Sequence, residues 1–152
     1  MEITFRRASG NDIDKIFNLN KNLIKKYETN KNLNFPKIFA WVREKIEKNI
    51  ESYNCIYLGE IKTGYYYLHD QDEKLELDDF FVFNEFRGTG IGTKVLNYIY
   101  ATAKERNKDV FLYVFAKNQG AINLYLRNGY KITKNIGNSR YIMTLPVKSR
   151  VD

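Results

Sequence analysis

A short glycine-rich segment between a predicted strand and a predicted helix constrains this chain more than any other feature. The segment reads Arg87-Gly88-Thr89-Gly90-Ile91-Gly92-Thr93. The first turn of a helix carries backbone N–H groups without intrahelical partners, and the helix dipole places partial positive charge there. Glycines remove the side chains that would keep an anion away from these groups. The segment therefore predicts a loop that holds a phosphate group, with Arg87 adding a permanent charge beside it.

Two common phosphate-binding patterns do not fit this segment. A Walker A loop needs Gly-x-x-x-x-Gly-Lys, but the position where its second glycine would stand is Thr93. A dinucleotide fingerprint also needs a glycine at Thr93, followed by an acidic residue about 20 positions on. The pattern that remains is Arg/Gln-x-x-Gly-x-Gly/Ala, which Arg87, Gly90 and Gly92 satisfy. Taken alone, this pattern is also compatible with a tight structural turn.

The spacing of apolar residues predicts the element order β, α, α, three strands, α, β, α, β, β. Helices are predicted over 13–27, from Pro36 to Ile50, over 91–99 and over 121–125. Strands are predicted at 3–6, 54–58, 65–68, 74–83, 110–115, 130–133 and 141–145, with a connection at 59–64. Ser9 is expected to cap the first helix, and Asp12 to favour the positive end of its dipole. The order indicates a mixed α/β sandwich around one sheet, in one domain over residues 1–152.

Composition excludes several classes of protein. The 152 residues are 43% hydrophobic and 28% charged, which is typical of a folded domain and not of a disordered chain. No apolar run approaches the roughly 18–20 residues that span a bilayer, and no apolar segment of a secretory signal follows the first residues. The single cysteine, Cys55, allows neither an internal disulfide nor a CxxC zinc site. We therefore expect a cytoplasmic protein without a metal or membrane association, in which Cys55 is a core residue.

The chain is basic, with 25 Lys and Arg against 18 Asp and Glu and a net charge of +7. This charge fits simple solubility, a polyanionic ligand or a nucleic acid, because summed positive charge raises the local concentration of anions. No segment resembles a helix-turn-helix recognition unit, which argues against nucleic acid.

Two motifs together resemble the GCN5-related N-acetyltransferase (GNAT) superfamily. Its acetyl-CoA pyrophosphate motif is the Arg/Gln-x-x-Gly-x-Gly/Ala pattern between a strand and a helix. Downstream, a second segment is similar to the family's Asn-x-x-Ala…Tyr-Glu-Lys-x-Gly-Phe, and it reads Asn118-x-x-Ala121-Ile122-x-Leu124-Tyr125-x-Arg127-x-Gly129-Tyr130. Tyr130 replaces the commoner Phe, and Asn84 stands where Pro is frequent. The resemblance covers about residues 53–145.

The resemblance implies a mixed, mostly antiparallel sheet of six or seven strands. It also implies a V-shaped splay between two central parallel strands and about four helices on the faces of the sheet.

The resemblance implies that acetyl-CoA is the acyl donor and that no metal takes part. The amides of the pantetheine arm would pair with the strand that carries Val82, and a backbone N–H near Val82 or Phe83 would stabilise the oxyanion. The pyrophosphate would rest on Arg87, Gly88, Thr89, Gly90, Ile91, Gly92 and Thr93. Asn118 would bond the pantetheine or the neighbouring backbone, or simply cap the fourth helix.

The resemblance also implies two catalytic roles. Tyr125 would protonate the leaving thiolate, since a thiol near pKa ~8.5 and a phenol near ~10 are close enough for transfer; the alternative is a core aromatic residue. For the base that accepts the amine proton we favour Glu76, then Asp78 or Asp79. Strict alternation places Glu76 and Asp78 on the face of Val82, and a bulge would reverse this. These acids would suit a cationic amine.

The sequence thus predicts an enzyme that transfers an acetyl group from acetyl-CoA to a primary amine of a small molecule, by direct attack in a ternary complex. Two alternatives stay open, a protein N-terminal or lysine acetyltransferase and a non-catalytic CoA-binding regulatory module. The frequent dimers of the family leave a homodimer open as well. His69, the only histidine, is expected in a surface turn. Trp41 is expected in ordinary packing, with an acceptor pocket as the alternative.

Overall fold

A computed structural model describes residues 2–149 of the chain. Its elements are β1 (Ile3–Arg7), α1 (Ile13–Tyr27), α2 (Phe35–Asn49), β2 (Asn54–Leu58), β3 (Ile61–Asp70), β4 (Lys74–Val82), α3 (Ile91–Arg106), β5 (Asp109–Phe115), α4 (Gln119–Arg127), β6 (Lys131–Ile136) and β7 (Arg140–Leu145). Short 3-10 turns lie at Gly10–Asp12, Ile50–Ser52 and Asn84–Phe86. The element order agrees with the order that apolar spacing predicts.

The strands form one seven-stranded sheet in the order β1-β2-β3-β4-β5-β7-β6. The central pair β4–β5 is parallel. The pairs β1–β2, β2–β3, β5–β7 and β6–β7 are antiparallel. The predicted mixed and mostly antiparallel sheet with four helices is therefore confirmed.

Contacts divide the described chain into two compact units. Unit 1 contains the residues up to Tyr67 together with Asp79–Phe83, and unit 2 contains Leu68–Asp78 together with the residues from Asn84 onward. The chain passes between the units inside β3 and β4, without a linker. One domain over residues 1–152 stays a prediction, and residues 1 and 150–152 of that range lie outside the described part. Within residues 2–149, no helix is both long enough and apolar enough to cross a membrane.

The core of unit 1 is rich in tyrosine. Tyr65, Tyr66 and Tyr67 are consecutive in β3, and all three are at least 94% buried. An internal strand can have both faces covered, so neighbouring side chains that point to opposite faces are both buried. Tyr53 stacks on Tyr67 with ring centroids 4.7 Å apart. Cys55 is 2% exposed in β2, which confirms it as a core residue.

Strand β3 begins earlier than the sequence predicts, because Gly64 is part of the strand. A glycine in a strand often marks a close approach of another backbone. A Cβ placed on Gly64 would lie 2.0 Å from the carbonyl oxygen of Phe81. Gly64 therefore marks a site of close backbone approach, and not the connection that the sequence predicts at 59–64.

Replacing Gly64 with alanine is expected to lower the free energy of unfolding by about 2–3 kcal/mol, as overpacked cores do. The obstacle is a backbone atom, which cannot rotate away as a flexible side chain would. Urea denaturation measures the loss. Gly120→Ala is the matched control, since a Cβ at that position in α4 meets nothing within 4 Å. Equal stability of the two variants would contradict the prediction.

A buried ionic network surrounds Asp12 at the start of α1. Its carboxylate accepts hydrogen bonds from the Lys62 ammonium at 2.5 Å, the Tyr65 hydroxyl at 2.8 Å and the Ser9 backbone N–H at 3.0 Å. The Cys55 thiol lies 3.7 Å away as a further donor. Ser9 is the N-cap of the 3-10 turn Gly10–Asp12 and not, as predicted, of the first helix, because this turn precedes α1 and the N-cap of α1 is Asp12. Asp12 also accepts hydrogen bonds from donors on β2 and β3, so it takes part in the packing of α1 against these strands. The prediction gave it only a role at the helix dipole.

The charge at Asp12 changes the acidity of its neighbours. Burial, together with the charge of the Asp12 carboxylate, raises the pKa of Cys55 to about 11. Burial and the hydrogen bond to Asp12 also raise the pKa of Tyr65. The thiolate is the reactive form of cysteine, so Cys55 is a poor nucleophile at neutral pH.

Candidate active site

The glycine-rich segment places an uncapped helix terminus at the surface of unit 2. Gly88 and Gly90 have left-handed backbones, with φ of 75° and 85°. Gly90 is the N-cap of α3 and offers no side chain to the first turn, whereas Asn34 and Asn118 cap α2 and α4 with their side chains. The first turn of α3 also contains no acidic residue. The backbone N–H groups of 91–93 therefore face no capping side chain that would compete with an anion.

Local hydrogen bonds hold the segment in shape. The Arg87 N–H donates to the Asn84 carbonyl at 3.2 Å, and the Thr89 hydroxyl donates to the Phe86 carbonyl. The first helical bond runs from the Lys94 N–H to the Gly90 carbonyl at 3.1 Å. All seven residues predicted to hold the pyrophosphate lie in this one turn, and 87–90 are exposed.

The two parallel strands pair over only three residues. Lys74, Leu75 and Glu76 pair with Asp109, Val110 and Phe111. No further pair between these strands follows in the described chain, although β4 runs on to Val82 and β5 to Phe115. Residues 79–82 of β4 belong to unit 1 and β5 belongs to unit 2, so the V-shaped splay beyond these pairs stays a prediction.

A β-bulge interrupts β4 at Asp79. The Gln71 N–H donates to the Lys74 carbonyl at 2.8 Å, and the Phe83 N–H donates to the Thr63 carbonyl at 2.8 Å. Between these two bonds, β3 supplies residues 64–70 and β4 supplies residues 75–82, which is one more. Asp79 has a left-handed backbone with φ of 47°, as an inserted residue can.

The bulge decides between the two orientations left open for the predicted acids. One extra residue shifts the alternation, so Glu76 and Asp78 no longer share the face of Val82. The exception that the sequence left open, a bulge in this strand, therefore applies, because a period of two assumes an uninterrupted ladder. The Glu76 carboxylate accepts a hydrogen bond from the Gln71 side-chain amide at 2.7 Å.

Asp79 is held by two donors in unit 1. Its carboxylate accepts hydrogen bonds from the Tyr53 hydroxyl at 2.5 Å and the Lys45 ammonium at 3.0 Å, and its side chain is only 5% exposed. Both donors stabilise the charged form, and they fix the side chain of a residue in a sparsely populated backbone conformation. This arrangement suits an anchor for the bulge, and the choice of the base among Glu76, Asp78 and Asp79 stays a prediction.

Tyr125 and Tyr130 form a buried aromatic pair in unit 2. Their ring centroids are 5.6 Å apart, and they are 8% and 1% exposed. Burial raises the pKa of both phenols. A higher phenol pKa makes complete proton transfer to a thiolate less favourable than the near-match assumed from ordinary values. The catalytic role of Tyr125 stays a prediction, and a hydrogen bond to a developing thiolate would need no complete proton transfer.

The Asn118 side chain accepts a hydrogen bond from the Ala121 N–H at 3.2 Å, which confirms its role as the cap of α4. A contact with pantetheine stays a prediction. Of the two predicted oxyanion donors in unit 1, the Phe83 N–H already donates to Thr63. The assignment of Val82 stays a prediction.

The hydroxyl of Tyr130 is buried without a hydrogen-bond partner in the described residues. An unsatisfied buried hydroxyl costs about 1–3 kcal/mol. Tyr130→Phe is therefore expected to raise the free energy of unfolding by about 1 kcal/mol. Urea denaturation measures the change. A loss of stability would mean that the hydroxyl has a partner, such as a bound water.

Two other predicted candidates lie elsewhere. His69 is exposed as expected, but it lies near the end of β3 and not in a turn, because the strand continues to Asp70. Trp41 is 61% exposed on α2, which contradicts ordinary packing, and the Lys37 ammonium lies 5.3 Å from its ring centroid. In the described residues, no group of three or more His, Cys, Asp or Glu side chains is placed to hold a metal ion.

The family model described as the acetyltransferase (GNAT) family matches residues 20–130. The chain belongs to this family, and the resemblance seen in its motifs is confirmed.

Three known proteins illustrate the similarity. An uncharacterized N-acetyltransferase of Methanocaldococcus jannaschii is 38% identical over 63 residues, which is 41% of this chain and 28% of that protein. The PaiA N-acetyltransferase from Thermoplasma acidophilum, solved with coenzyme A, has a TM-score of 0.68 at 22% identity, covering 95% of this chain and 98% of that one. A spermidine N-acetyltransferase from Vibrio cholerae, solved with CoA and spermine, has a TM-score of 0.65 at 18% identity, covering 93% and 94%.

Proposed function

We propose that this protein transfers an acetyl group from acetyl-CoA to a primary amine of a small molecule, by direct attack in a ternary complex. Membership of the acetyltransferase family supports the reaction class. The observation that carries the proposal is the uncapped start of α3 behind the left-handed Gly88 and Gly90. Backbone N–H groups there, with Arg87 beside them, are suited to the pyrophosphate of CoA.

The residues of the chain would perform three tasks. Glu76 or Asp78 would accept the proton that the amine must lose, since alkylamines are charged at neutral pH. A backbone N–H at Val82 would stabilise the oxyanion. Tyr125 would donate a hydrogen bond to the leaving thiolate, while Asn118 would contact pantetheine through the part of its amide not used by the cap. Acetyl-CoA supplies the activated acetyl group.

A small amine acceptor is supported by two observations. Glu76 and Asp78 place carboxylates on β4, where Glu76 pairs with Phe111 of β5. A similar fold in Vibrio cholerae acts on spermidine. The same assay tests the two alternatives, which are a peptide acceptor and a CoA-binding module without turnover.

The assay offers acetyl-CoA with polyamines, aminoglycosides, amino acids or short peptides, and measures the release of free thiol. We expect turnover with a small amine. A preference for peptides would support the peptide alternative. CoA binding by calorimetry without turnover on any amine would support the regulatory module.

Gly90→Val tests the pyrophosphate loop directly. Valine is strained at a positive φ and would place methyl groups beside the N–H donors. We expect KM for acetyl-CoA to rise by about tenfold or more, which corresponds to one lost charge-assisted hydrogen bond. Gly137→Val is the matched control, because Gly137 also has a positive φ, 56°, and a Cβ added there would meet nothing within 4 Å. Equal effects of both variants would argue against a pyrophosphate site in the loop.

A further inference from the structure

The positive charge of the chain is concentrated in its last third. Residues 110–151 contain seven Lys and Arg and no Asp or Glu. Residues 1–109 contain 18 basic and 17 acidic residues, which nearly cancel. The net charge of +7 is therefore a property of β5, α4, β6, β7 and the residues that follow them.

Strands β5, β7 and β6 arrange part of this charge in register with aromatic rings. Residues that pair directly across antiparallel strands share a face of the sheet. The pairing produces three rows, which are Phe111–Thr144–Lys131, Tyr113–Ile142–Lys134 and Phe115–Arg140–Ile136. Each row carries one ring on β5 and one cation on β7 or β6. We call this surface the open face, defined by Phe111, Tyr113, Phe115, Lys131, Lys134 and Arg140.

The two faces of these strands differ sharply in burial. The opposite face carries Val110, Leu112, Val114, Met143 and Leu145, all at least 93% buried. On the open face, Tyr113 is 46% exposed, and Lys131, Lys134 and Arg140 are exposed. Strand β6 is the edge of the sheet, so Lys131 and Lys134 lie at its border, and Arg140 lies on the neighbouring strand β7.

One cation and one ring of the open face are already in contact. The Arg140 guanidinium carbon lies 5.4 Å from the Tyr113 ring centroid, and the Phe111 and Tyr113 rings meet edge-to-face at 6.0 Å. Rings at every second residue of β5 are spaced about 6.8 Å apart. The aromatic rings of β5 therefore offer surfaces on which bases can stack, and the cationic side chains next to them can pair with phosphates.

The charge pattern also limits what can bind. Glu76 pairs with Phe111 on the β4 side, so a polyanion would be confined to the side of β7 and β6. A second copy docked face to face would bring the same three cations together, which is unfavourable. The acidic side chains of a protein partner would pair with the cations, but they would not stack on the aromatic rings of β5.

We propose that the open face binds single-stranded RNA, with phosphates along Lys131, Lys134 and Arg140 and bases stacked on the rings of β5. Sheets that read single strands combine exposed aromatic residues with a positive surface in this way. The proposal needs no helix-turn-helix unit, whose absence argued against nucleic acid at the level of sequence. It is independent of the acetyltransferase proposal.

Fluorescence anisotropy with a labelled 12-nucleotide oligo(U) tests this proposal on the full chain. Three phosphate contacts predict that log K falls with log salt with a slope of about −2. Tyr113→Ala is expected to weaken binding by roughly 5- to 100-fold, the loss typical of one stacked base. Tyr100→Ala is the matched control, an equally exposed tyrosine at 44% on α3, and it should bind as the wild type does.

A second pair of variants separates a site from overall charge. The triple change of Lys131, Lys134 and Arg140 to alanine should abolish most of the salt dependence. The triple change of Lys25, Lys48 and Lys104 to alanine removes the same charge from other exposed positions. Binding by this variant should retain the salt dependence of the wild type. Circular dichroism confirms that each variant is folded.

Four outcomes would overturn the proposal. The first is that the wild type does not bind oligo(U), and the second is that both triple variants lose affinity for oligo(U) equally. The third is that polyglutamate binds as tightly as oligo(U) and that Tyr113→Ala does not weaken its binding. The fourth is that CoA displaces oligo(U) completely. The third would identify an acidic protein partner, and the fourth would place the RNA in the proposed CoA site.

Discussion

An Asp12→Ala variant is expected to lose about 3 kcal/mol of unfolding free energy, because breaking a buried ion pair leaves its partner without compensation. The Asp12 side chain is 8% exposed and the Lys62 side chain 31%. Removing the carboxylate leaves the Lys62 ammonium without its partner at 2.5 Å and the Tyr65 hydroxyl without its acceptor. Urea denaturation at pH 7 measures the loss.

Asp14→Ala is the matched control for this prediction. Asp14 lies two residues away and pairs with Arg43 at 2.8 Å, but its side chain is 80% exposed. Exposed ion pairs contribute little to stability because water and salt screen them. If Asp14→Ala were as destabilising as Asp12→Ala, burial would not be the cause of the effect.

The same network predicts how stability depends on pH. Burial by itself would raise the pKa of Asp12, but the hydrogen bonds from Lys62, Ser9 and Tyr65 and the Lys62 charge outweigh it and lower the pKa below 3.8. A depressed folded-state pKa gives stability that is present above the unfolded value and lost as pH falls through the folded value. The stability difference between the wild type and Asp12→Asn should therefore shrink below about pH 4. A constant difference between pH 7 and pH 3 would show that the charge of Asp12 does not contribute.

Tyr125→Phe is expected to lower kcat by about 100-fold or more while CoA binding persists, as loss of one hydrogen-bond donor to a developing negative charge does. The ring would stay packed 5.6 Å from Tyr130, so the fold has no reason to change. Only the stabilisation of the leaving thiolate is removed. Steady-state kinetics with the best amine measures kcat, and calorimetry measures CoA affinity.

Tyr130→Phe serves as the control for Tyr125→Phe, since it removes a hydroxyl from the other ring of the pair and should leave kcat unchanged. If Tyr125→Phe kept kcat within about twofold, the role of Tyr125 would be packing, because a hydrogen-bond donor to a developing anion contributes about 100-fold or more. A parallel loss of CoA affinity would instead indicate a binding role.

Much of the site could be predicted because its signals are local. The positive φ of Gly88 and Gly90 and the uncapped start of α3 follow from residue types within one turn. The cap at Asn118 is also a local signal, as is the near-continuous apolar run at 110–115 that marks β5. Motifs of this kind carry the family assignment even where the rest of the chain has diverged.

The bulge at Asp79 could not be predicted in the same way. Nothing in the residue types of β4 distinguishes an uninterrupted strand from one with an extra residue. The bulge depends on where β3 begins to pair, on the close approach of Gly64 to Phe81, and on donors that Tyr53 and Lys45 bring from other elements. The face on which the candidate bases lie therefore needed the fold.

The sequence alone determined the order of elements, the glycine-rich turn and the family, because periodicity and turn chemistry act between residues a few positions apart. Only the tertiary structure decided that Asp12 is a buried partner of Lys62 and Tyr65, 50 and 53 residues along the chain. It also decided that rings and cations of three strands meet in register on one face. These contacts arise from strand pairing, which brings distant residues together in a register that composition and spacing do not specify.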